Sequence, residues 1–219
     1  MPFTMTHLII AENLSEILKN HISDLPQFYL GNIAPDAVHN RVYYISDWKK
    51  ESHLIVSDEK WGMITKNDEW KINVIDFLNK NKNSENRDFI LGYCSHILAD
   101  LYNTLTVWTP FRITYINELE KGYGSLYHEE SNKIDIEFAL TYKNRDYFWQ
   151  NLKKSRSIDL LNMIYATEID QQKVNILDLW YKDKIRQYIS ENKFMTYEKT
   201  MDFIKNATDF IAINFQENL

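Results

Sequence analysis

His96 and Asp100 stand four residues apart in the run Gly92-Tyr93-Cys94-Ser95-His96-Ile97-Leu98-Ala99-Asp100. On a helix that spacing stacks the two side chains on one face. The residues around them are apolar nearly all round, so Asp100 needs a cation or strong donors, because an unpaired buried carboxylate costs several kcal/mol. A divalent metal held by imidazole and carboxylate meets that demand, and so does a hydrogen-bonded His-Asp pair in a core. Taken alone, the pair leaves both readings open.

Further residues of the same chemical types fall in the first half of the chain: His7, Asp36, His39 and His53. Three imidazoles and two carboxylates, His7, Asp36, His53, His96 and Asp100, could saturate one zinc site and supply part of a second, leaving a carboxylate to act on a water. Cys94 is the single cysteine, which excludes a disulfide framework or a thiolate zinc cluster made by one chain. The chain has no His-Glu-x-x-His, no adjacent His-Asp dyad and no Glu-x-x-His pair, so metalloprotease and helical di-iron patterns are absent.

Four segments, Thr6-His7-Leu8, Phe28-Tyr29-Leu30-Gly31-Asn32-Ile33-Ala34-Pro35-Asp36-Ala37, Lys49-Lys50-Glu51-Ser52-His53 and the His96/Asp100 run, together resemble the zinc-dependent phospholipase C family in order and spacing. The resemblance spans about residues 1–142 and leaves residues 143–219 unassigned. It implies an all-helical fold, related to the zinc-dependent single-strand nucleases, that holds up to three metals and hydrolyses phosphate esters. His53, His96 and Asp100 are similar to the ligands of one zinc, with Asp100 bridging to a second zinc that His7 also binds. Asp36 matches the catalytic carboxylate that ligates metal or orients and deprotonates the attacking water. Secreted members use their processed N-terminal residue as a ligand, which Met1-Pro2 does not match. They also add a His and a His-x-x-x-Glu pair, where this chain offers His128 followed by Glu129 and Glu130. One or two zinc ions are therefore expected. Glu130 and Asp135 are placed in a solvated acidic turn over residues 127–135, while for His39 ligating, orienting a ligand from behind and a loop hydrogen bond stay open.

The elements that must position these residues read as helices. Over residues 8–22 Ala11, Leu14 and Leu18 recur at three- and four-residue steps, with His7 inward on the same face one turn earlier and His21 structural near the end. Residues 28–50 have no sustained period and read as a long ordered loop with at most a short helical turn. A helix over 68–79 leads through a polar link to Ser84, a capping residue. Residues 86–107 form a central buried helix with the stripe Ile90, Cys94, Ile97, Leu101 and Leu105. Thr109-Pro110 then reads as the cap and first-turn proline of a helix ending near Gly122. Helical periods follow over 132–142, 146–154, 158–168, 171–190 and 197–215. No strand alternation and no composition break interrupts them, so the expectation is all-α, one multi-helical domain over residues 1–219.

Composition bounds the function. The 219 residues include 14 Tyr, 11 Phe and 6 Trp but only 5 Gly and 4 Pro, enough to bury a full core and too ordered for a disordered chain. With 25 Lys+Arg against 31 Asp+Glu the formal net charge is −6, which offers no general attraction to nucleic acid or anionic lipid. A phosphate ligand must then be held by a local cation such as zinc. Lys49-Lys50 and Lys80 to Lys82 read as solvated surface. Trp48, Trp61, Trp108 and Tyr102 read as core before pocket wall. No apolar window reaches a membrane span and no basic n-region precedes one, so the chain reads as cytoplasmic. The leading expectation is a metal-dependent hydrolase of a small phosphate ester or phospholipid. The alternative is a non-catalytic helical protein whose structural metal supports partner binding.

Overall fold

The computed structural model describes residues 3–160 and 163–219, and these are helical without a strand; one isolated antiparallel bridge joins Leu160 and Ile164. In chain order the helices are α1 (Thr4–Ile17), α2 (Leu25–Gly31), α3 (Ser46–Ser52), α4 (Asn67–Asn81), α5 (Arg87–Asn103), α6 (Thr109–Thr114), α7 (Tyr123–Thr141), α8 (Arg145–Lys154), α9 (Ala166–Val174) and α10 (Tyr197–Gln216). Short 3-10 turns lie at Pro35–Asn40 and Leu119–Lys121, and π-helical turns at Thr104–Trp108 and Asn175–Leu179.

Fifteen of the 17 residues of α5 are buried, so no face of it is left to water and its neighbours must cover every side. α2, α4, α10 and α1 do so, while α8 backs α2 and α7 lies against α1. α2 approaches most closely, because Gly31 and Gly92 meet where the two helices cross: a Cβ on Gly31 would overlap the Phe89 carbonyl and one on Gly92 the Phe28 carbonyl. The entry into α2 is fixed from α5. Asp88 accepts Ser23 N–H and hydroxyl at 2.8 Å each and Asp24 N–H at 2.5 Å. Asp24 in turn caps α2 by accepting Gln27 N–H.

The region expected as one loop, 28–50, is instead α2, the 3-10 turn and α3, since Asp24, Pro26 and Pro35 start short helices that burial then stabilises. α1 lies earlier than its apolar period predicts, ending at Ile17, so exposed His21 sits in the turn beyond it. The central helix does not stop for a new one at Thr109. Thr109 is helical and its N–H bonds Thr104 O, five residues back; that wide turn accommodates Pro110, which has no N–H to give, and rotates the register. Leu105 therefore leaves the buried stripe and is 41% exposed.

α7 begins at Tyr123, after Gly122 in the left-handed region at φ 98°, so the expected acidic turn over 127–135 is a largely buried helix. Glu130 accepts the N–H groups of Lys193, Phe194 and Met195 at 2.6, 2.6 and 2.9 Å, pinning the chain ahead of α10. Farther along, the helices expected over 158–168 and 171–190 are replaced by α9 and its π turn. Asp159 accepts Ala166 N–H at 2.7 Å and Glu168 accepts Tyr165 N–H at 3.0 Å, which sets the start at Ala166. Leu161 and Asn162, inside the first of those spans, lie outside the described residues.

Asp135 accepts Met5 N–H at 2.7 Å and the Tyr181 hydroxyl at 2.5 Å. Burial outweighs these bonds and pushes its pKa up from 3.8 to about 6. The native state therefore holds a proton that the unfolded chain releases between pH 4 and 6, and the stability contributed is lost as pH rises through 6. Asp135→Asn removes this titration. The variant is expected to gain on the wild type by about 2.5 kcal/mol between pH 4 and pH 8, since each tenfold difference in proton affinity between the folded and unfolded chain is worth about 1.4 kcal/mol. Urea midpoints at the two pH values measure the gain, and a difference that does not change with pH would refute it.

Candidate metal centre

The five residues singled out by type and spacing converge on one buried space from four elements: His7 from α1, Asp36 from the 3-10 turn, His53 from the end of α3, His96 and Asp100 from α5. His7, His53, His96 and Asp100 are buried, and Asp36 is 25% exposed. Two groups of three share His96. His7, His96 and Asp100 form one, and Asp36, His53 and His96 the other, with donor atoms in each group within 4.8 Å of one another.

The protein fixes which atoms face that space. His96 Nδ1 donates to Asn32 O at 2.8 Å, and a ring that donates from Nδ1 keeps a lone pair on Nε2. His53 Nδ1 lies 2.9 Å from Lys49 O and 2.9 Å from Ser52 Oγ. The backbone of Ser52 and His53 is itself clamped: Tyr93 of α5 donates to Ser52 O at 2.5 Å and Trp70 of α4 to His53 O at 2.7 Å. The rings of His7 and His96 stack with centroids 3.7 Å apart and planes 9° from parallel.

What remains is a set of buried polar atoms with nothing to bond: both ring nitrogens of His7, Nε2 of His53 and His96, and both oxygens of Asp100. In proteins generally a buried polar atom without a partner is the exception, and here six such atoms gather in one space. Their separations explain the orphaning. Asp100 Oδ1 is 3.6 Å from His7 Nε2, while Oδ2 is 3.3 Å from His53 Nε2 and 4.0 Å from His96 Nε2. Asp36 lies 3.6 Å from His53 Nε2 and 3.9 Å from His96 Nε2. Two donors each 2.0–2.1 Å from a tetrahedral zinc stand about 3.4 Å apart, so the donor set and its spacing fit zinc. Asp100 presents one oxygen to His7 and the other to His53 and His96, the disposition a carboxylate shared between two cations requires.

Electrostatics agree with the geometry. Burial, then His7, pushes the His96 pKa down to about 3, so the ring is neutral and able to ligate. Burial raises Asp36, but Lys49, followed by His96 and His53, outweighs it and holds the carboxyl well below its usual range. Asp100 is likewise held low, because contacts with His53 and His7 exceed the effect of its burial.

Sequence reading misses Lys49. It is not solvated surface: its side chain is 3% exposed and its Nζ stands 2.7 Å from Asp36 Oδ1 and 3.2 Å from His39 Nε2, with the Trp61 ring 4.7 Å away. The available signal is its place four residues before His53, which sets both on one face of a short helix. Lys49 opens onto a cleft of about 340 Å³ walled by Trp61, Trp108 and Tyr44. Of the aromatic residues expected in the core, Trp61 and Trp108 thus line this cleft, Trp48 carries Arg41 over its ring, and Tyr102 lines a separate cavity.

Residues 5–102 match the zinc dependent phospholipase C family. The matched segment takes in all five residues of the buried space and ends just past Asp100. No curated protein and no solved structure matches the chain. The family is zinc dependent by its description, and the two His/Asp groups are where this chain could hold metal. His128, Glu130 and Asp135 stand outside those groups: His128 lies on the cleft wall with its ring 5.8 Å from Trp108, while Glu130 and Asp135 are spent on backbone and tyrosine donors. Met1 and Pro2 lie outside the described residues. No helix among the described residues is long and apolar enough to cross a membrane.

Proposed function

We propose that the chain is a zinc-dependent hydrolase of phosphate esters, with a small phosphate ester or a phospholipid as substrate. The observation that carries the reading is the set of orphaned, inward-facing donor atoms on His7, His53, His96 and Asp100 beside a partly open cleft. Asp36, His53 and His96 with one oxygen of Asp100 would hold one ion, and His7 with the other oxygen of Asp100 a second. When bound, zinc supplies Lewis acidity that polarises the phosphate and brings the pKa of a coordinated water toward neutrality.

The chain's own residues do the rest. Asn32 O, Lys49 O and Ser52 hold the imidazoles in their ligating orientation. Asp36, the one partly exposed member, is joined to the cleft through Lys49, which lines it. Held ionised by Lys49, it is placed to accept a hydrogen bond from the attacking water and orient it toward phosphorus. Trp61, packed 4.9 Å from the His53 ring, screens that side from bulk solvent. The same exposure of Asp36 weighs against a purely structural metal, which four closed ligands would seal off.

The test is turnover of bis-p-nitrophenyl phosphate by zinc-loaded protein, wild type against Asp36→Asn. Asparagine keeps the shape and loses the charge, so kcat/KM is expected to fall by about 100-fold or more, in the range that loss of a positioned acid-base group costs. Equal turnover in the two proteins, with equal zinc content, would remove Asp36 from the mechanism.

A further inference from the structure

The cleft beside the five residues has a chemistry of its own. Lys49 is the one Lys or Arg among the described residues that line it, and no Asp or Glu lines it. An ammonium carries three N–H donors, and Lys49 spends two, on Asp36 and His39. Asn103, 3% exposed, also lines the cleft, and beside the Tyr127 hydroxyl its side-chain Nδ2 makes no hydrogen bond of good geometry. One buried cation and one donor without a well-formed bond therefore border a space that no Asp or Glu among the described residues lines, walled by the rings of Trp61, Trp108 and Tyr44.

We propose that this cleft is an anion subsite in which Lys49 and Asn103 receive terminal phosphate oxygens, making the preferred substrate a phosphomonoester with a neutral, ring-bearing or apolar organic group. The proposal rests on the reading of the neighbouring residues as a phosphate-ester hydrolase and names its substrate class. A diester phosphate carries one negative charge, which the ions alone can offset; a monoester carries nearly two and gains from an additional cation. A quaternary ammonium headgroup would find no carboxylate here. It would also meet a Trp61 face that already has the Lys49 cation 4.7 Å from its centroid, so like charge would oppose it. The aromatic walls suit an uncharged group instead.

Calorimetric titration of the zinc-loaded protein with inorganic phosphate and with dimethyl phosphate tests this, with zinc content measured on every sample. The wild type is expected to bind inorganic phosphate at least tenfold more tightly. Lys49→Met is expected to weaken inorganic phosphate by ten- to a hundredfold, the range for a lost charge-assisted hydrogen bond, and to leave dimethyl phosphate within about threefold. Lys49→Arg should restore most of the preference. If Lys49→Met keeps its zinc and its preference, the subsite is wrong and the hydrolase reading stands. If the wild type holds zinc yet binds neither ligand and turns over neither p-nitrophenyl phosphate nor its bis ester, both fail. Should Lys49→Met shed zinc through Asp36, Asn103→Ala decides, since Asn103 makes no hydrogen bond to the five residues: phosphate weakened severalfold with dimethyl phosphate unmoved supports the subsite, and no change overturns it.

Discussion

His96→Ala is expected to strip the protein of metal. His96 belongs to both groups of donor atoms and is one of the four ligands proposed for the first ion, so its loss leaves both groups incomplete. Removing a partner that merely orients a ligand costs 10–100-fold in metal affinity, and removing a ligand itself should cost more than about 100-fold. Elemental mass spectrometry on tag-free protein should give one or more equivalents of zinc in the wild type and less than about a tenth of that in the variant. Phosphoesterase activity should fall with the metal. His128→Ala is the matched control, because His128 lies on the cleft wall outside both groups, and it should retain full zinc. His96→Ala protein that keeps its metal would show that the five residues do not hold it. The variant also loses the bond to Asn32 O, so circular dichroism must confirm that it is folded before metal content is compared.

Gly92→Ala, like Gly31→Ala on the facing helix, should be severely damaging for a single-methyl change. Where α2 crosses α5, the added carbon would meet the Phe28 carbonyl, with Asn32 Nδ2 at 3.0 Å. The obstacle is backbone, which no rotamer change can move, so the helices must part. Overpacking a close-packed interior costs 1–3 kcal/mol and occasionally more, and here about 3 kcal/mol or unfolding is expected. The damage reaches the metal site, because parting α2 from α5 draws Asn32 O away from His96. Gly124→Ala is the contrast. There the new carbon has nothing nearer than Leu119 Cδ2 at 3.9 Å, and within α7 the change should stabilise by about 0.5–1 kcal/mol. Thermal or urea melts of the three proteins decide; a Gly92→Ala midpoint equal to the wild type would refute the close crossing.

The helical class is legible in the sequence because it depends on short-range periodicity. His96 and Asp100 share a face by their spacing alone, and an apolar helix around them forces a demand for charge compensation wherever the chain goes next. His7 follows from the apolar period of Leu14 and Ala11 in the same way. The His and Asp types then name metal chemistry before any fold is known. Tertiary structure decides the remainder. Whether Asp100 meets His53, whether Asp36 stands at the edge of the buried space and whether Lys49 is sheltered depend on α2, α3 and α5 packing together across tens of residues. Lys49 shows the reason most clearly: a lysine reads as solvated because desolvating its charge is costly, and only the approach of Asp36 from another element offsets that cost. The acidic run around Glu130 and Asp135 misleads for the same cause, since their compensating donors come from residues near 193, 181 and 5. A sequence states what each side chain needs, and only long-range packing determines which neighbour supplies it.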